Sequence, residues 1–417
     1  GIGVEIAWHY AFCQDMVGTV KHINQKQGEM CIENLRARHE AKVVIPYLCF
    51  MYLSALHLVN FKNYTDLDLQ LTAGINGIVG QNGAGKTNVL DAVYYLSMCK
   101  SYLNVNDRQN MRFDQAFFSI AGQWQFPDKQ HDVQIAYKAG VKKLVKWNKK
   151  AYDKLTDHIG KLPVVFISPY DGDLIAEGSD LRRKWMDGIL SQLDKRYLEE
   201  IQRYAKVLEQ RHAILRNMHE HRLFDPDAIE VWDAQLIPAA NYIYAKRREF
   251  LEEFIPVFKR FYQEIGQEAE SVNLSYRSQL DDGPFADLLA ASSKKDAFTQ
   301  YTNVGIHKDD LIFTIKGHPV KKFGSQGQQK SFIIALRLAQ FDWLKAHKGV
   351  KPILLLDDIF DKLDQQRVER LIALVSADYF GQVLITDTDP ARMRDLFSKL
   401  PGATQLIEIK ENQAYAL

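Results

Sequence analysis

Cysteine is scarce in this 417-residue chain: Cys13, Cys31, Cys49 and Cys99 are the four present, with no CxxC spacing and no histidine pairing nearby. That excludes a zinc site of closely spaced thiolates and a disulfide framework, and it suits a reducing cytosol. A long uninterrupted apolar run is missing too. The nearest approach, Val43 to Phe61, is broken by Pro46, Ser54, His57 and Asn60, which fits a turn followed by a strand rather than a membrane span. Glu5 and Asp15 likewise break up any signal-peptide core. Nor does one sign of charge dominate. With 53 basic and 52 acidic residues the net charge is +1, so no global field announces a nucleic-acid partner, and such a contact must come from local clustering.

What is present is a globular composition, 46% hydrophobic and 25% charged, long enough to bury a large core in two lobes. One stretch organises it. Gly80-Gln81-Asn82-Gly83-Ala84-Gly85-Lys86-Thr87 fits the phosphate-binding pattern G-x-x-x-x-G-K-[ST] without a mismatch. Wrapping a polyphosphate with consecutive backbone N–H groups requires φ values and close approaches that side chains forbid, and Gly80, Gly83 and Gly85 allow them. Lys86 brings a point charge to the outer phosphates, Thr87 a hydroxyl to Mg²⁺, and a helix opening at Asn88 its positive end. Upstream, Leu67, Leu69 and Leu71 alternate with Asp66, Asp68 and Gln70, and Ile75 to Val79 reads as a buried strand ending at the loop.

In chain order, residues 1–50 lack clear periodicity and read as an N-terminal extension of uncertain status, so the functional protein is expected to begin near Met51. Met51 to Leu71 reads as two short strands joined near Lys62-Asn63. Later alternation at Phe117–Ile120 and Asp132–Tyr137 predicts an antiparallel sheet. Between Lys138 and Lys154 stand seven lysines interleaved with Trp147 and Tyr152, which suits a phosphate backbone with exposed bases, or equally a solvated hairpin guarding its edge. From Ser168 to about residue 270 the period turns helical, with one stripe over Leu190, Leu193, Tyr197, Ile201, Tyr204 and Leu208 and a second from Trp232 to Ile265, interrupted by Pro238 and Pro256. Arg182-Arg183-Lys184 at its base reads as a charged helix face or as a nucleotide or DNA contact.

A second constellation follows. Phe323 to Lys330 is a small polar loop, with Ser325, Gly327 and Gln328, at the head of an apolar-periodic helix from Ser331 to Leu344. Pro352 to Leu356 is a continuous apolar strand ending in Asp357-Asp358, either a helix cap or a carboxylate pair in which Asp357 holds Mg²⁺ and Asp358 orients water. Gln382 to Thr386 is one more core strand, ending in Asp387.

Phosphate loop, Ser-x-Gly-Gln loop and carboxylate-tipped strand, in that order, make an ABC-type ATPase head. With a short helical insertion between the first two, the chain resembles the group of SMC and RecF proteins, and the RecF family most. The resemblance covers Met51 to the C-terminus. It rests on Phe61-Lys62-Asn63-Tyr64, the loop Gly80 to Asn88, Arg182-Arg183 with Asp187, Val231-Trp232-Asp233, Gly305-x-His307-Lys308-Asp309-Asp310-Leu311, Ser325-x-Gly327-Gln328-x-Lys330 with Ala335 to Ala339, and Leu355 to Asp358. It implies an α/β fold: an ABC-type head of mixed sheet and flanking antiparallel sheet over 51–168 and 296–417, with a helical arm lobe over 169–295.

The resemblance also implies function: an ATP-dependent DNA-binding protein of bacterial gap repair and replication, a cytoplasmic, weak, DNA-stimulated ATPase. ATP would be held by Lys62, Gly80, Gln81, Asn82, Gly83, Ala84, Gly85, Lys86, Thr87 and Asn88 of one subunit and by Ser325, Gly327 and Gln328 of its twin. Thr87 and Asp357 would hold Mg²⁺, and Asp358, Lys86 and Ser325 would carry catalysis. Implied partners are single-stranded and gapped double-stranded DNA, RecO- and RecR-type mediators, RecA, and a second copy in an ATP-dependent homodimer, with no membrane. The sequence departs from transporter-like heads in having Asp358 where they have Glu, in lacking a histidine after Ile385, where Thr386 or Asp387 takes its place, in offering Ser168 but no glutamine after Phe166, and in having Asp361 where Ser is usual. A transport motor subunit and a DNA-binding scaffold with scarcely any hydrolysis are the rival readings.

Overall fold

The structure, a computed structural model, describes residues 51–221, 225–266, 270–359, 379–400 and 402–417. Asp361 and the following Lys362-Leu363-Asp364 lie outside them.

Strand alternation builds the first sheet. β1 (Tyr52–Phe61) and β2 (Tyr64–Gln70) form a hairpin in which Leu58 faces Leu67 and Leu56 faces Leu69. β1 also pairs with β4 (Phe117–Gln125), followed by β5 (Gln130–Lys138), β6 (Leu144–Trp147) and β7 (Lys150–Ala151), giving the antiparallel order β2-β1-β4-β5-β6-β7. One face is apolar and buried and the other mostly polar, as alternation of this kind dictates.

Four strands of the second sheet, those starting at Ile75, Val164, Ile353 and Val383, come from apolar runs. β3 (Ile75–Val79), β8 (Val164–Ile167), β12 (Ile353–Leu356), β13 (Val383–Asp387), β14 (Thr404–Lys410) and β15 (Gln413–Ala416) are ordered β15-β14-β3-β13-β12-β8. All but the β14–β15 pairing are parallel. Helix α1 (Lys86–Met98) lies between the two sheets, where Val89, Leu90, Val93 and Leu96 share one core with Leu56, Phe118 and Ile135 on one side and Ile353, Leu355 and Leu384 on the other. Gln382 joins the sheets: its side-chain amide donates to Leu53 O at 2.7 Å and Thr72 O at 2.8 Å, and its carbonyl accepts from Leu53 N at 2.8 Å.

The helical part comprises α2 (Ser179–Leu193), α3 (Lys195–His221), α4 (Pro226–Ile265) and α5 (Phe285–Thr299). α6 (Gln326–Lys348) and α7 (Pro390–Ser398) flank the parallel sheet. Two differences from the sequence reading stand out. α4 runs for 40 residues straight through Pro238 and Pro256, although each proline removes a backbone donor. Burial outweighs that loss: Leu236, Ala239, Ala240 and Ile243 around the first proline, and Phe250, Phe254, Phe258 and Phe261 around the second, are all enclosed, and a buried phenylalanine is worth about 1.5–3 kcal/mol. The arm lobe expected over 169–295 also contains, after the helical period ends near 270, a strand, β9 (Val272–Arg277), which pairs with β10 (Asp310–Ile315) beside β11 (His318–Pro319) in a third, antiparallel sheet.

Buried ion pairs tie the helices to this sheet and to one another. Arg247 of α4 reaches Asp187 of α2 at 3.0 Å and Asp309 at 2.9 Å, while Arg211 of α3 reaches Asp233 at 2.6 Å and Asp296 at 2.7 Å. Arg182 binds Asp310 at 2.8 Å and Arg183 donates to Asp309 O at 2.6 Å, so these arginines clamp α2 onto β10. Among the described residues no helix is long and apolar enough to cross a membrane.

Candidate nucleotide site

The loop after β3 leaves little choice of residue. Gly85, the N-cap of α1, has φ 105°, and a Cβ there would meet the Asn63 amide nitrogen at 2.5 Å; one on Gly80, with φ 155°, would meet Ile409 O at 2.5 Å. A Cβ on Gly83 would meet nothing within 4 Å, so the loop is open on that side. No side chain caps the first turn of α1, where Asn88 N donates to Gly85 O at 2.8 Å, and Lys86 Nζ lies over the loop, donating to Gly80 O at 2.7 Å and Gln81 O at 3.0 Å. An uncapped, open amide cradle with an ammonium at its mouth fits a polyphosphate.

Two parallel strands bring the acidic partner. β13 separates β3 from β12, and across it Thr87 Oγ1 donates to Asp357 Oδ1 at 2.8 Å. Thr386 Oγ1 donates to the same oxygen at 2.8 Å and accepts from Asp358 N at 2.9 Å. Burial pushes the Asp357 carboxyl up from its ordinary range, against the pull of both threonine hydroxyls. A hydroxyl and a buried carboxylate in contact are the donor set a hard divalent cation takes, and Mg²⁺ fits here. Of the two residues expected in the switch position, Thr386 touches the site, whereas Asp387 is tied to Arg392 at 2.5 Å.

Asp358 takes a left-handed backbone with φ 47°. With Asp357 and Ser168 it lines a cavity of about 230 Å³ whose other wall is the first turns of α6, including Gln326, Gln329 and Lys330. Ser168 itself caps a short helical turn, its hydroxyl accepting from Tyr170 N at 3.3 Å and its N–H donating to Asp171 at 3.1 Å. The Ser-x-Gly-Gln turn is a capping box: Gln328 N donates to Ser325 Oγ at 3.2 Å and Ser325 N to Gln328 Oε1 at 2.7 Å. Ser325 is exposed and Gly327 half-buried. Gln328 also donates to Glu270 Oε1 at 2.7 Å, and Glu270 accepts from Tyr262 at 3.0 Å and pairs with Lys316 at 3.1 Å, holding the turn against α4 and β10.

Lys62 is placed differently from the expectation that it binds nucleotide. Its ammonium lies 2.5 Å from Asp91, buried behind α1, because the hairpin tip turns it inward. The tip residue that faces the loop is Asn63, whose amide donates to Ala84 O at 3.2 Å and to Asn412 Oδ1 at 2.6 Å and whose carbonyl accepts from Asn88 at 2.7 Å. Asn63 stands in the Phe-Lys-Asn-Tyr stretch, so the signal was adjacent; Asn412, at the β14–β15 turn, had none. The aromatics of the lysine-rich segment are also otherwise engaged. Trp147 packs on His131 at 4.7 Å, and Lys161 lies over both Trp147 and Tyr152, so neither ring is offered to a base.

A phosphate loop meeting a strand-end carboxylate, with a serine turn capping a helix on the same head, defines an ABC-type ATPase head of the SMC class. The pattern described as "RecF/RecN/SMC N terminal domain" matches residues 52–409. The DNA replication and repair protein RecF of Flavobacterium johnsoniae is 49% identical over 342 residues, 82% of this chain and 95% of that protein. RecF of Phocaeicola vulgatus is 44% identical over 365 residues, 87% of this chain and 98% of that one. The solved structure of the recombination mediator protein RecF-ATPrS in the RecFOR pathway superposes with a TM-score of 0.80 at 27% identity, covering 88% of this chain and 99% of that one. The Smc head domain of Pyrococcus furiosus, at 15% identity and a TM-score of 0.52, shares the fold. The chain belongs to the RecF family of DNA replication and repair proteins.

Proposed function

We propose that this chain is an ATP-driven DNA clamp of recombinational gap repair: two heads close over nucleotide, hold DNA at a junction of single and double strand, and part after slow hydrolysis. The observation that carries it is a site offered in halves. Thr87 and Asp357 meet at the uncapped loop, while Ser325 stays exposed and its hydrogen bonds, among the described residues, remain within its own turn. A twofold dimer that sets the turn of each copy against the loop of the other completes both halves.

In that reading Lys86 and the loop amides grip the outer phosphates, with Asn63 and Asn88 fixing the loop's shape. Thr87 and Asp357 hold Mg²⁺, which supplies charge neutralisation at the phosphate oxygens. Asp358 orients water from its place on the cavity wall, and a carboxylate one methylene shorter than the usual Glu makes turnover slow. Lysines of the 138–154 segment contribute phosphate contacts. The solved relative's description as a recombination mediator of the RecFOR pathway supports RecO- and RecR-type partners, and loading of RecA is what the family resemblance implies.

Sedimentation with ATP, with ADP and with a gapped duplex tests the clamp. ATP is expected to shift wild type from monomer to dimer and to leave Lys86→Met monomeric; equal dimerisation of that variant sinks the reading.

A further inference from the structure

The outer face of the antiparallel sheet, turned away from α1, is uneven in chemistry. Phe118 and Ile120 of β4 point into the core, so Phe117 points out. Register sets Phe117 opposite Lys138 of β5, and Leu144 of β6 opposite Ala136, two residues back along β5. Phe117, Lys138 and Leu144 therefore share one face at one end of three adjacent strands. The segment preceding β4 is pinned to that same end: Arg112 N donates to Asn60 O at 2.9 Å and Lys62 N to Asn110 O at 2.8 Å. From it Phe113 projects with 92% of its surface in water, and Phe117 is 44% exposed. Each exposed phenyl forgoes burial worth about 1.5–3 kcal/mol, so two at one sheet end make an unpartnered patch.

Cations stand on the same segments. Arg108, Arg112, Lys138 and Lys142 have no carboxylate within ion-pair distance among the described residues, whereas the adjacent Lys143 is neutralised by Asp107 at 2.8 Å. Asp114 is the one exposed acid on the same segment; Asp66 and Asp68 lie on β2, three strands from β5, and bound the cationic area.

We propose that this sheet end is a stacking platform for unpaired nucleotides, with Phe113 and Phe117 taking base faces while Arg112 and Lys138 hold the flanking phosphates. The choice of a single strand follows from chemistry. A phenyl ring accepts the flat face of any base, but a duplex hides those faces in its stack, and the unpaired cations match a phosphate backbone. The proposal rests on the DNA-binding reading above and narrows it to a place and a strand type.

Fluorescence anisotropy of the full chain with labelled oligo(dT), a blunt duplex and a tailed duplex tests it. Phe113→Ala/Phe117→Ala is expected to bind oligo(dT) and the tail roughly tenfold or more weakly, with blunt-duplex affinity and ATP-driven dimerisation unchanged. Phe113→Trp/Phe117→Trp restores single-strand binding, and a 5-iodouracil strand photocrosslinks to one of the two phenylalanines in wild type. Single-strand affinity within twofold of wild type in the alanine variant overturns the platform alone, as does an equal loss on blunt duplex. Unchanged DNA binding with lost self-association reassigns the patch to a protein contact. Wild type that binds none of the three probes sinks the DNA-binding reading as well.

Discussion

Thr87 Oγ1 and Asp357 Oδ1 stand 2.8 Å apart although 270 residues separate them in sequence. Parallel pairing of β3, β13 and β12 creates that meeting, since the strands end on the same edge, β12 running directly into Asp357 and β3 into the loop that leads to Thr87. Removing only the hydroxyl isolates its part. Thr87→Val is expected to leave nucleotide affinity in EDTA unchanged and to abolish most of the gain that Mg²⁺ brings, as read by calorimetric titration. A full Mg²⁺-dependent gain in the variant would remove Thr87 from the cation site.

Arg247 is the mechanical centre of the helical part. It is buried and serves Asp187, Asp309 and the carbonyl of Ile306 together, so Arg247→Met leaves two carboxylates facing an apolar side chain. Breaking a buried pair from one side costs about 3–5 kcal/mol, and urea unfolding should lose that much. A loss below about 1 kcal/mol would mean that water or neighbouring tyrosines replace the guanidinium.

Two histidines, His158 buried and His307 half-buried, set an acid limit. Burial holds His158 and His307 down to about 4, against an unfolded value near 6.5. The unfolded chain therefore takes up protons first as pH falls, and stability is full above about pH 6.5 and declines toward pH 4, by up to about 3 kcal/mol per histidine. His158→Gln should give a shallower decline of Tm between pH 6.5 and 5 than wild type shows. A wild-type Tm that is flat across that window contradicts the assignment.

Lys149 and Lys150 sit at the exposed β6–β7 turn and Lys146 beside them on β6. If they neutralise phosphates, replacing all three with alanine lowers the steepness of log affinity against log salt by about 2–3, at 0.7–0.9 per contact. An unchanged slope takes them out of the footprint.

How much of this was legible beforehand differs by element. The phosphate loop, the strands β3, β8, β12 and β13 and the serine turn could be read because each is written in local chemistry: glycine spacing, apolar runs, a hydroxyl and a glycine at a helix start; β14 and β15, which mix polar with apolar residues, were not read. α4 could not be read through its prolines, because what keeps it continuous is packing by Phe250 to Phe261, and packing has no local signature. β9 was hidden for a related reason: its partner β10 begins more than thirty residues later, so its short alternation over Val272, Leu274 and Tyr276 gained meaning only from pairing. At the site, Lys62 was expected at the nucleotide because the family resemblance implied it. Its cation instead answers Asp91, one turn beyond Thr87 on α1, a pairing across helix and hairpin that spacing alone does not reveal.

Gln382 carries a last consequence. With three bonds from one side chain to Leu53 and Thr72, it welds the layer bearing Asn63 to the layer bearing Asp357. Any swivel within the head on engaging a ligand must then take its hinge elsewhere, and the arm side, joined through Glu270 and the arginine clusters, is where such play would be felt.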